Sequence, residues 1–278
     1  MVQKLFSPSS QDLFRVVVVN IDNQNDFVKK NGRLSVPGAV EAANRAAYFI
    51  LDNTRKLTTI MSSFDKHRSD GRHIFYSIWW LDASGNHPKD FTEITYTDVL
   101  KGVWTPLFDI EWSLSYVKTL GSFTIWPIHC TQGDPGSDMV LSLSQAIANH
   151  SYQRNTKMVW IEKGQNPRTE HYGIFGAEVE DPDDPSTKLD TQRLREISEF
   201  DLSYWFGQEK NHCVRRSLEQ YIDWCTKNNP DAIYKMRYMA DCTSLLPLGP
   251  EYTKDAEDSV NSMVLKGMTI VNSTDPIS

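Results

Sequence analysis

Four consecutive valines, Val16 to Val19, sit inside the run Arg15 to Asp22, RVVVVNID, and constrain the fold more than any other stretch. β-Branched side chains are stiff at χ1 and favour extended backbone. Successive residues of a strand point to opposite faces, so an unbroken apolar run needs both faces covered, as in a parallel sheet between helices. The rest of the chain repeats this theme. Thr58 to Phe64, Lys157 to Lys163, Leu202 to Phe206, Ala232 to Ala240 and Met268 to Val271 read as strands. Ala39 to Leu57, Asp138 to His150, Thr191 to Phe200 and Lys254 to Lys266 read as helices. Alternation of this kind predicts an α/β protein, a three-layer α/β/α sandwich with a mainly parallel central sheet. Between Arg68 and Phe123 the periodicity is weak, and the stretch reads as a long excursion. A single domain spanning residues 1–278 is expected, with an insertion at about 76–122.

Charge and cysteine usage exclude several classes. A formal net charge of −7 without a basic block argues against nucleic acid or an anionic membrane as main partner. No apolar run approaches the length of a membrane span, and the N-terminal MVQKLFSPSSQDLF lacks an apolar signal core. Cys130, Cys213, Cys225 and Cys242 are far apart in sequence and form no CxxC pair, so reduced thiols and a cytoplasmic location are expected.

In parallel α/β sheets the site lies beyond the carboxyl ends of the strands. The first strand ends in Asp22, the second in Asp65 and His67, the third in Lys163, and the strand Leu202 to Phe206 leads to Cys213. Asp65 and His67 are two residues apart and so point to one side of an extended backbone, where both can hold one metal ion. His129 is too distant in sequence to be joined to them by spacing alone. Cys213 stands where an amphipathic helix begins, its apolar face marked by Val214, Leu218, Tyr221, Ile222 and Cys225. A thiol at a helix start is expected to have a lowered pKa. A buried, unreactive cysteine at a strand end is the alternative.

Several segments, taken in order, resemble the nicotinamidase branch of the isochorismatase-like cysteine hydrolases. NIDNQNDFV is similar to the opening D-x-Q-N-D-F motif, and GRLSVPG, Gly32 to Gly38, follows it as G-x-L-x-V-P-G. SFDKH resembles the metal-binding D-x-H, and RHIF, at His73, a histidine-containing turn. IWPIHCTQGDPGSDM is similar to W-P-x-H-C-x-Q-x-x-P-G, and KGQNPRTEHYGIF to K-G-x-x-P followed by Y-x-x-F. The resemblance runs from about Arg15 to Asn272 and lapses over the excursion.

That resemblance implies a triad of Asp22, Lys163 and Cys213 and a divalent metal, with zinc expected, on Asp65, His67 and His129. It implies substrate-lining aromatics at Phe27, Trp126 and Tyr172, and an oxyanion hole from the backbone N–H groups of Glu209 and Cys213. The implied reaction hydrolyses nicotinamide to nicotinate and ammonia through a thioester. Another small amide, or a catalytically idle scaffold, are the alternatives; a thiol redox role is disfavoured because no resolving cysteine is near. The implied partner is a small-molecule amide, and self-association is left open. One loop departs from the pattern: where G-x-A-T-D-x-C is usual, the chain has Gly207-Gln208-Glu209-Lys210-Asn211-His212-Cys213. Glu209 there either shapes the pocket or turns away to solvent, Lys210 or Arg215.

Overall fold

A computed structural model describes residues 5–278; the first four residues, part of the N-terminal stretch read above for a signal, lie outside the described residues. Six strands form the central sheet: β1 (Val16–Ile21), β2 (Thr59–Asp65), β3 (Val159–Lys163), β4 (Leu202–Gly207), β5 (Met236–Thr243) and β6 (Thr269–Val271). Their spatial order is β6-β5-β4-β1-β2-β3 and every pairing is parallel. The valine run occupies the interior strand β1, all of whose residues are buried. Val16 and Val18 face one apolar cluster and Val17 and Val19 the other. The strand is thus the partition between two cores, which is why no polar residue interrupts it until Asn20.

Helices cover both faces. α1 (Ala39–Asp52) and α2 (Leu141–Arg154) pack on the first, with Ala39, Ala43 and Ala46 allowing close approach and Phe49 and Ile50 filling the space beyond. On the second lie α3 (Thr191–Ser198), α4 (Arg215–Asn228) and α5 (Pro250–Leu265), through Leu194, Ile197, Leu218, Tyr221, Ile222, Val260 and Met263. Several boundaries differ from expectation: the helices expected at Asp138 to His150 and Lys254 to Lys266 run Leu141–Arg154 and Pro250–Leu265, and the strand expected to end at Ala240 continues to Thr243. Residues 230–235 form a 3-10 turn headed by Pro230, whose ring cannot donate to a ladder, so β5 begins only at Met236. α1 stops at Asp52 and the chain turns through Asn53 and Thr54 before β2.

The excursion is irregular but not loose. It holds two short helices, Tyr96–Leu100 and Ile110–Leu120, and two small antiparallel pairs, Trp80–Leu81 with Thr105–Pro106 and Glu93–Thr95 with Ser122–Thr124. Trp79, Trp80, Tyr116 and Phe123 are buried in the same cluster as α1 and α2, with Phe123 stacked on Phe75 at 4.5 Å. Its weak periodicity follows from this packing. A few large rings, rather than a repeating face, supply the buried area.

Strand register brings the polar ends together. Asp65 is the register partner of Lys163, and Ile21, just before Asp22, is that of Gly207. At Gly207 φ is +145°, and a Cβ would lie 2.0 Å from the Ile21 carbonyl oxygen. Only glycine lets β4 approach β1 this closely and still turn toward Cys213. Gly207→Ala is therefore expected to cost at least about 2 kcal/mol of stability; denaturant unfolding checks this, and an unchanged midpoint would contradict it.

Candidate functional site

Lys163 stands at the centre of the strand ends and is buried, as are its neighbours. Its Nζ lies 3.0 Å from Asp22 Oδ2, 3.3 Å from Asp65 Oδ1 and 3.6 Å from Cys213 Sγ, and donates to the His171 carbonyl at 2.8 Å. Burial works against the ammonium, but Asp22 and Asp65 together hold its pKa well above the ordinary lysine value. Burial raises the Asp22 pKa even though Lys163 opposes it. Ser63 steadies Asp22 by donating from Oγ to Oδ1 at 2.6 Å and accepting from the Asp22 N–H at 3.1 Å.

The thiol departs from the sequence expectation. Cys213 lies within a π-helical segment, Lys210–Val214, that runs into α4, and Glu209 is the residue that caps it. Burial pushes the Cys213 pKa well above its ordinary value; Lys163 pulls it down, while Asp22 and Asp65 add to the rise. Desolvation outweighs the helix start, so the resting group is a thiol beside a carboxylate and an ammonium. The other three cysteines are buried and unpaired.

Asp65, His67 and His129 converge, with ligand atoms from all three within 4.8 Å of one another. His67 Nδ1 faces the Gly164 carbonyl at 3.0 Å and His129 Nδ1 the Pro127 carbonyl at 2.7 Å. A carbonyl only accepts, so each Nδ1 carries the proton and each Nε2 is turned toward Asp65 Oδ2, at 2.8 Å and 3.2 Å. His67 Nε2 and Asp65 Oδ1 are buried without an aligned hydrogen-bond partner. Two imidazoles and a carboxylate with such orphaned atoms fit a borderline divalent cation with positions left open. Gly164 shapes the cradle: φ is +78°, and a Cβ would sit 2.3 Å from Asp65 Oδ1. Gln24 fixes the Asp65 backbone from both sides, donating to its carbonyl at 2.7 Å and accepting from its N–H at 2.8 Å.

Cys213, Asp65 and His129 reach the wall of a narrow slot, together with Phe27, Trp126 and Tyr172. Asp22, Lys163 and His67 are not part of that wall. Trp126 Nε1 donates to Tyr172 Oη at 2.8 Å, which locks the two aromatic walls together. The slot has about 30 Å³ of free volume, room for roughly two water molecules. Part of the reason is His212, whose ring stacks on Tyr172 at 5.0 Å and meets Trp126 edge-on at 4.9 Å. Burial lowers its pKa to about 4, and its Nε2 has no hydrogen-bond partner.

Glu209 does not turn away to Lys210 or Arg215. It is buried in the slot wall, Oε1 accepting from Tyr252 Oη at 2.7 Å and from the Asn211 N–H at 2.9 Å. Arg215 pairs instead with Glu219 and Asp255. A cis peptide joins Gln208 to Glu209, and the Glu209 N–H has no acceptor among the described residues. Sequence reasoning left four contributors without a role. Gln24 lay inside a motif whose acidic residue drew attention. Ser63 is on the Asp65 face of β2, two residues earlier, a spacing that was available. Glu170, buried in the slot wall with Oε2 3.9 Å from His73, and His212 carried no local signal. His73 is itself buried, its ring 4.7 Å from that of His67, but outside the three-ligand group.

No protein-family model and no curated protein matches the chain. Solved structures do resemble it. One is the yeast nicotinamidase bound to the inhibitor nicotinaldehyde, at 19% identity and TM-score 0.63, covering 92% of this chain and 99% of that one. Another is an Acinetobacter baumanii nicotinamidase/pyrazinamidase, at 19% identity and TM-score 0.59, covering 95% and 99%. A third is a Pyrococcus horikoshii pyrazinamidase in complex with zinc, at 18% identity and TM-score 0.56, covering 93% and 99%. The likeness is one of fold.

Two outcomes are expected. Zn²⁺ present at a hundredfold excess over its dissociation constant should stabilise the protein by about 2.7 kcal/mol, an effect that calorimetry should find missing in Asp65→Asn. Burial raises the Glu209 pKa from 4.5 to about 7. A raised acid binds its proton more tightly when folded, so its contribution is full below about pH 4.5 and is lost as pH rises through 7. Glu209→Gln lacks that loss; between pH 5 and pH 8 its stability should gain up to about 3 kcal/mol on the wild type. A constant difference across that range in denaturant titrations would contradict the assignment.

Proposed function

We propose that the chain is a cysteine amidohydrolase that converts nicotinamide, or a close relative of it, to the acid and ammonia. One observation carries this reading: a single buried ammonium, on Lys163, within reach of a carboxylate, a thiol and a candidate metal ligand at once. The fold shared with the nicotinamidases and the pyrazinamidase, and the aromatic slot beside Cys213, support it.

A carboxamide is a weak electrophile with a poor leaving group, so it needs both a strong nucleophile and a proton donor. Asp22 takes the proton from the Cys213 thiol as Sγ attacks the carbonyl carbon. A raised carboxylate pKa and a charge-balancing ammonium make this transfer less uphill than it would be for an ordinary aspartate. The N–H groups of Glu209 and Cys213 receive the developing oxyanion; losing one such donor typically costs about 3 kcal/mol in barrier. Asp22 then gives its proton to the departing nitrogen, ammonia leaves and a thioester remains. Water loses a proton to Asp22 as it attacks the thioester, and the released thiolate recovers that proton. Asp65, His67 and His129 would hold the metal ion, which when bound supplies a Lewis-acid anchor for a ring nitrogen or for water.

The buried carboxyl of Glu209 favours a second reading within the same chemistry, in which the preferred amide is not nicotinamide itself.

Purified protein is expected to release ammonia from nicotinamide, to lose that activity with a chelator and to regain it with Zn²⁺. Cys213→Ala should lower kcat by at least about a thousandfold with an unchanged melting temperature. Hydrolysis confined to other small amides would support the second reading, and no release from any amide would leave an idle scaffold.

A further inference from the structure

Glu209 is 6% exposed, lies in the wall that holds the nucleophile, and stands where the family pattern has a small residue. Its two oxygens are unequally used. Oε1 is committed to Tyr252 Oη and the Asn211 N–H, which fix the carboxyl group in place. Oε2 accepts one longer hydrogen bond, 3.4 Å, from the Leu246 N–H. A carboxylate oxygen can accept more than one hydrogen bond, so Oε2 keeps capacity for a second donor. His212 Nε2 lies 4.0 Å from Oε1 and is itself buried and without a partner. Among the described residues no lysine or arginine is paired with Glu209.

Resting on the amidase reading, we propose that Glu209 is a specificity-determining residue: Oε2 accepts a hydrogen bond from a second N–H group on the substrate, a small, flat ring carboxamide that carries an amino or ring N–H donor in addition to its amide. Three features bound this occupant. The slot is narrow, so the ligand is a single flat ring, entering as the His212 ring gives way; nothing hydrogen-bonds that side chain in place. The walls Trp126, Tyr172 and Phe27 favour an aromatic face. A buried acceptor rejects an isostere that offers no donor far more strongly than an apolar pocket rejects an extra methyl group. An anionic ring amide is disfavoured by the same carboxylate.

The test compares each amino-substituted nicotinamide with its methyl-substituted counterpart, which matches it in size. Assays are run at pH 8, where Glu209 is ionised, on the zinc-loaded wild type, Glu209→Gln and Tyr252→Phe. For at least one ring position the wild type should favour the amino over the methyl compound by about tenfold or more in kcat/KM. Glu209→Gln should reduce that ratio to within about threefold, while Tyr252→Phe, which keeps the carboxylate, should retain the order of preference. A role for Glu209 as a helix cap alone would change both rates together and leave the ratio in place. Absence of any amino preference in an active wild type, or its survival in Glu209→Gln, overturns the proposal. Binding of the same pairs to Cys213→Ala, by calorimetry, separates the two readings. Preference in binding without turnover by the wild type supports Glu209 and overturns the amidase reading; neither binding nor turnover overturns both.

Discussion

The structure depends on a buried ammonium. Lys163, at the end of β3, is surrounded by Asp22, Asp65 and Cys213, and none of these groups could be buried alone at acceptable cost. Remove the ammonium and two carboxylates face each other across a dry space; remove either carboxylate and a desolvated cation loses half its compensation. The arrangement contributes little net stability, because desolvation offsets most of the Coulomb attraction. What it supplies is poise. Burial pushes Asp22 and Cys213 toward their protonated forms while Lys163 pulls both the other way.

The fold serves that cluster. Parallel pairing puts every strand's carboxyl end on one side, and the register of β2 with β3 sets Asp65 beside Lys163. The valine run of β1 divides the two cores and delivers Asp22 to the same edge. At Gly207 and Gly164 the backbone passes closer to its neighbours than a Cβ allows, in one case beside the turn to Cys213 and in the other beside Asp65. The excursion, through Trp79, Trp80 and Tyr116, extends the core on the side of α1 and α2, and the Tyr116 hydroxyl accepts from the N–H of Glu170 in the slot wall.

Much of this was legible in the sequence, for physical reasons. Four valines in a row can only be an interior parallel strand, and ionisable residues at successive strand ends mark a crevice in such a sheet. The apolar face of α4 appeared at the expected spacing, and Asp65 and His67 shared a side as residues two apart on a strand must. His129 was out of reach of any spacing argument, because its place is set by the path of the chain after the excursion. The thiol was misread: a helix start favours the thiolate, but full burial outweighs it, and burial is a tertiary property. Glu209 was recognised as a departure, yet whether it faced the slot or solvent depended on Tyr252, forty-three residues away on α5. The narrowing by His212 was invisible for the same reason.

The central claim, acyl transfer to Cys213, is tested most directly by diverting the acyl group. With hydroxylamine added to a nicotinamide reaction, a thioester is intercepted and the product shifts from nicotinate to the hydroxamate. The hydroxamate is predicted to form with the wild type in proportion to hydroxylamine, and to be absent with Cys213→Ala. Nicotinate as the only product at an unchanged rate, or hydroxamate formed equally by Cys213→Ala, would contradict the account.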